Sequence, residues 1–141
     1  MMNNTITEDY VSFETARLLK EKGFDVPVYT YYTKAVTKTS EEQMYAYVWH
    51  SNAAKNFNNT HKDGFFSCPT IQMVMKYLRE VHHLLIMIDF ECEDCYVADM
   101  YNMTEFDECG EHKHIPPTFV NCKTYEQACE AAIKYYLENM L

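Results

Sequence analysis

The chain reads as an α+β domain, an antiparallel sheet of about four strands with three helices packed on it. Three observations lead there. Apolar residues make up 48% and aromatic residues 15% of the 141-residue chain, enough to bury one core and offset the entropy of ordering. With 3 Gly and 4 Pro, most of the length must lie in regular elements rather than turns. Helical and strand periodicities alternate in the order α-β-β and then α-β-β-α, which fits a single domain over residues 1–141.

The elements follow in order after a polar, flexible start over 1–9. Ser12 to Phe24 predicts a short helix. Ser12 is its N-cap, and Gly23 stands where a left-handed residue returns Phe24 against Leu19. Phe13, Ala16 and Leu19 form a narrow apolar stripe, as expected of a surface helix. Val26 to Tyr32 and Met44 to His50 are rich in β-branched and aromatic residues and predict two strands, with Pro27 held to a strand start or sheet edge. Residues 51–66, with four Asn and no period, predict a long loop.

Ile71, Val74, Met75, Leu78 and Val81 keep the rhythm of one buried helix face, behind a cap at Ser67 or Cys68 and with Pro69 at the first turn. Leu84 to Phe90 and Tyr96 to Met103 predict a hairpin. Residues 104–122 contain Pro116-Pro117 and predict a second long loop. Thr124 and Gln127 open the last helix with a capping-box pattern, and Cys129, Ala132, Ile133, Tyr136, Leu137 and Met140 form its apolar face.

The net charge of −9 is unevenly placed. Glu80, Asp89, Glu91, Glu93, Asp94, Asp99, Glu105, Asp107, Glu108 and Glu111 all fall between residues 80 and 112, where there is no Lys or Arg. That segment carries −10 and the remainder, with 12 bases and 11 acids, +1. Phosphate would be repelled there, which disfavours direct nucleic-acid binding. No apolar run reaches the length of a membrane span, and the start lacks a secretory pattern, so a cytoplasmic protein with reduced cysteines is expected. The 12 Tyr suit an interface, since each offers an apolar face and a water-tolerant hydroxyl, and they are compatible with a homo-oligomer.

Tyr10 to Asp25, the Pro69-Thr70-Ile71-Gln72 to Arg79-Glu80 helix, and Tyr125 to Ala132 give the chain a resemblance to small uncharacterised proteins of Bacteroides-type gut bacteria and their phages or prophages. The resemblance implies an accessory protein of the bacterial host cell and carries no catalytic residue.

Two constellations carry the functional expectations. The acidic lobe, with Glu91, Glu93, Asp94, Asp99, Glu105, Asp107 and Glu108 as contact residues, would dock on a protein partner with a basic surface, as a non-enzymatic inhibitor or decoy; its alternative is a solvated, self-repelling surface. Cys92-x-x-Cys95 followed by Cys109-x-x-His112, with His114 as a substitute, has the paired spacing of a zinc site. That second reading requires the chain from Met103 to Cys109, roughly 20 Å when extended, to run back along a strand of about 26 Å toward the hairpin tip. Otherwise no cofactor is expected. A redox role for Cys92 and Cys95 is disfavoured by Glu93 and Asp94, since reactive thiols sit near cations or helix N-termini. His82 and His83 close the central helix, whose negative end favours protonated imidazole; capping of its carbonyls is the expected role, ahead of a pH-sensitive or metal-binding pair.

Overall fold

A computed structural model describes residues 6–33, 48–59 and 64–141. The first helix, α1 (Phe13–Glu21), starts where the Ser12 hydroxyl accepts the Thr15 N–H. It stops where Gly23 takes φ +85° and the Phe24 and Gly23 N–H groups donate to the Leu19 and Lys20 carbonyls at 2.9 and 3.2 Å. This is the doubly bonded ending the sequence predicts. Beyond its stripe, α1 also buries Thr15 and Leu18.

Strands β1 (Val28–Thr33), β2 (Trp49–Lys55) and β3 (Phe65–Ser67) form a first antiparallel sheet in the order β2-β1-β3. The chain then enters α2 (Ile71–Val81), β4 (Leu84–Cys92), β5 (Cys95–Phe106), β6 (His112–Cys122) and α3 (Tyr125–Asn139). Strands β4, β5 and β6 make a second antiparallel sheet in sequence order. Thr70, rather than Ser67 or Cys68, caps α2, its hydroxyl accepting the Met73 N–H at 3.2 Å, so Pro69 lies just outside the helix.

The α+β class holds, with three helices as expected. The strands, however, divide into two three-stranded sheets instead of one sheet of about four. The expected loop over 51–66 contains most of β2 and the start of β3, and the expected loop over 104–122 contains the end of β5 and all of β6. Pro116 and Pro117 are tolerated because β6 is an edge strand, where a missing N–H costs no interior ladder bond, and its pairing with β5 shifts register three times. The expected strand over 44–50 lies largely outside the described residues; its last two members open β2.

One apolar cluster joins both sheets to the helices: Val28 and Tyr32 from β1, Leu84 and Ile86 from β4, Ala98 and Met100 from β5, and Cys129, Ile133 and Leu137 from α3. A polar clasp runs through it. Tyr32 donates its hydroxyl to the Val11 carbonyl at 2.7 Å, the Cys68 N–H donates to Thr30 at 2.9 Å, and the Thr30 hydroxyl returns a bond to the Cys68 carbonyl. Val11 N–H and Ile71 N–H complete it by donating to Pro69 and Asp9, so the segment before α1 is tied to the entry of α2. Glu130 of α3 takes both the Ser12 N–H (2.7 Å) and the buried Thr15 hydroxyl (2.8 Å), docking α3 on the N-terminus of α1.

His82 departs from its expected role. Its ring stands edge-on to Tyr77 at 5.4 Å and to Tyr136 at 6.4 Å. Burial, reinforced by His83, holds its pKa below the usual imidazole range. The unfolded chain therefore takes up the proton more readily than the folded one. The contribution of the neutral ring is full above the unfolded pKa of about 6.5 and declines as pH falls through the folded value. His82→Phe, which keeps the ring contacts, is expected to flatten the fall in urea midpoint between about pH 7.5 and about pH 5. Equal slopes for the two proteins would contradict this.

Candidate functional site

The second sheet has two unlike faces. Leu84, Ile86, Ala98, Met100, Ile115 and Phe119 point toward the helices and join the core. The alternate residues Leu85, Met87, Asp89, Asp99, Tyr101 and Met103 therefore face away from α2 and α3, as strand periodicity dictates. On that outer face Met87 is 48% exposed, while Val97, opposite Asp89, is buried. Leu85, Met87, Tyr101 and Met103, with Glu111 from the next turn and His112 at the start of β6, line an open groove of about 250 Å³.

The acids expected to form one lobe occupy the two ends of this sheet. Glu93 and Asp94 make the two-residue turn between β4 and β5, with Asp94 at φ +56°, and Glu91 stands beside it. Asp107, Glu108 and Glu111 lie in the turn between β5 and β6. Between these turns β5 runs from Cys95 to Phe106, a span of at most about 36 Å at ~3.3 Å per residue. Only Asp99 lies midway.

Several of these carboxylates already have structural work. Asp107 Oδ1 accepts the N–H groups of Cys109 and Glu111 at 2.9 and 3.0 Å, which shapes its turn. Glu105 pairs with Lys113 at 3.5 Å across the hairpin. Glu91 lies 3.8 Å from the Cys95 thiol. Glu93, Asp94 and Glu108 are exposed.

The same span separates the two halves of the expected zinc site. Cys92 and Cys95 face each other at one end of β5, while Cys109 sits in the turn beyond its other end, and His112 pairs with Phe106 there. The chain after Met103 continues outward as β5 instead of running back, so Cys92, Cys95, Cys109 and His112 do not converge. Among the described residues no group of three or more His, Cys, Asp or Glu side chains is placed to hold a metal. Cys68 and Cys129 are buried, and burial pushes their thiols up to about 12 and about 11.

A polar cluster that the sequence did not reveal lies midway along the outer face. Asp99 Oδ1 accepts the Thr118 hydroxyl at 2.6 Å and lies 3.1 Å from His114 Nε2, with Thr118 Oγ1 and His114 Nε2 3.4 Å apart. Tyr101 stacks edge-on against His114 at 5.3 Å. The three residue types are those of a hydrolytic relay, but a relay places carboxylate and hydroxyl on opposite ring nitrogens. Here both meet Nε2, and the hydroxyl proton is directed to the carboxylate. The arrangement ties β6 to β5 and does not activate Thr118 as a nucleophile. Only recognition of β6 as a strand would have brought Thr118 to Asp99.

Comparison of the chain with protein-family models, with curated proteins and with solved structures finds no match. Among the described residues no helix is long and apolar enough to cross a membrane.

The placement of the thiols sets an order of reaction. Cys92 and Cys109 are expected to alkylate first, Cys95 and Cys122 more slowly, and Cys68 and Cys129 only on unfolding. Mass-mapped alkylation with and without added zinc checks this. Joint protection of Cys92, Cys95 and Cys109 by one equivalent of zinc would contradict the separation of the two ends.

Proposed function

We propose that this protein acts by binding another protein through the outer face and acidic ends of its second sheet, without catalysing a reaction. The observation that supports this reading is the coincidence of exposed apolar side chains, Met87 and Met103, with carboxylates at Asp89, Glu91, Glu93, Asp94 and Glu108 on or beside one uncovered face. Covering an apolar groove releases water, while the carboxylates favour a partner that brings Lys or Arg. Like charge at both ends opposes self-association through this face. A basic patch with apolar residues at its centre is the matching surface.

On its resemblance to phage- and prophage-associated proteins, the partner is a host factor in the bacterial cytoplasm, and the protein serves as an accessory inhibitor or decoy. Such a factor could use its basic surface for nucleic acid, in which case the acidic sheet would occupy the place of phosphate.

Capture from host lysate at low and moderate salt tests the reading, using the native protein and two variants, E91Q/E93Q/D94N and E105Q/D107N/E108Q. A partner retained at low salt, released at moderate salt, and weakened by about tenfold or more in one variant is expected, because clustered charges act within a Debye length. A partner bound equally by all three proteins, or no salt-sensitive partner, would contradict it. The variant that weakens capture identifies the engaged end.

A further inference from the structure

We propose that Cys92 and Cys95 form a reversible disulfide that staples the β4–β5 turn, making this end of the sheet a thiol redox site. The inference stands on strand geometry and does not depend on the protein-binding reading. Cys92 and Cys95 are register partners across the Glu93-Asp94 turn, just past a register shift between Phe90 and Cys92, and their thiols are in hydrogen-bonding contact. Directly opposed residues of an antiparallel pair have Cα atoms about 4.5–5.5 Å apart and carry their side chains on the same face. A disulfide needs a Cα separation of about 4.4–6.8 Å. Closing the bond therefore asks for side-chain rotation with little movement of backbone.

The surroundings fit this pairing. Cys92 is exposed and Cys95 half-buried, so an external disulfide can reach the former and the latter is held back. The Cys95 thiol lies 3.8 Å from Glu91 and 3.7 Å from Asn121. The adjacent Cys92 thiol is the largest influence raising the pKa of Cys95, ahead of burial and Glu91. These acids slow thiolate formation, which sets the rate; the folded hairpin sets the equilibrium. Competing partners are poorly placed: Cys68 and Cys129 are buried, and Cys109 is in the far turn. Cys122 pairs with Tyr96 and packs against the core side of the sheet.

The exchange balances with a low-molecular-weight disulfide such as oxidised glutathione as oxidant. Cys92 loses its proton to water, and its thiolate attacks one sulfur of the oxidant. That S–S bond breaks, and one thiolate leaves and is protonated. Cys95, deprotonated in turn, attacks the Cys92 sulfur and expels the second thiolate. Two protein thiols give up two electrons and two protons, and the oxidant is reduced to two thiols.

Equilibration of the full chain in glutathione buffers of graded ratio, followed by acid quench, alkylation and peptide mass mapping, tests the proposal. The native protein is expected to show a Cys92–Cys95 link with an equilibrium constant at least about tenfold above that in denaturant, a difference of about 30 mV. C95S is expected to stop at a glutathione mixed disulfide on Cys92. A native constant equal to or below the denatured one, or a link from Cys92 to Cys109 or Cys122, would overturn the proposal.

Discussion

Everything distinctive about this protein depends on one constraint: among the described residues, its second sheet has helices on only one side. α2 and α3 cover the face built from Leu84, Ile86, Ala98 and Met100, and α1, the remaining described α-helix, packs on α3 and β3 instead of on the other face. A half-covered antiparallel sheet is ordinary when its open face is polar. Here that face mixes Leu85, Met87, Tyr101 and Met103 with carboxylates. The exposed apolar surface resists solvation, while the charge resists aggregation. That combination is what the proposed partner of opposite charge rests on.

The covered side is secured by bonds that cross long stretches of sequence. Glu130 reaches from α3 to the start of α1, and the clasp of Val11, Thr30, Tyr32, Cys68 and Pro69 joins the first segment, the first sheet and the entry to α2. Each polar group in that clasp has a partner, so it can lie among apolar side chains without the cost of an unsatisfied donor. The first sheet and α1 therefore work as support. They hold α2 and α3 against the second sheet, whose outer surface carries the candidate site.

Local signals made much of this legible in the sequence. Apolar stripes marked all three helices and caps marked α1 and α3, and Gly23 marked the end of α1 because the left-handed conformation there favours a residue without a side chain. The apolar run from Leu84 and the alternation from Tyr96 marked the β4–β5 hairpin. Where the reading failed, the deciding contact was distant. Pro116-Pro117 argues against a strand unless the strand is known to lie at an edge, and the Asn-rich segment after His50 has no period because most of β2 is exposed on both faces. The zinc pattern has the same limit: its spacing says nothing about whether the chain turns back after Met103 or continues outward. Asp99, His114 and Thr118 meet only once β6 is in place.

The uncovered face is open to direct measurement through four methionines. Met75 and Met100 lie on the covered side at 8% and 0% exposure, Met87 and Met103 on the outer face at 48% and 37%. With ε-methyl-labelled protein and a soluble gadolinium chelate, paramagnetic relaxation should be strong for the Met87 and Met103 methyls and weak for those of Met75 and Met100. Strong protection of Met87 and Met103 in the protein alone, or broadening of Met100 to match them, would contradict a sheet covered on one face and open on the other.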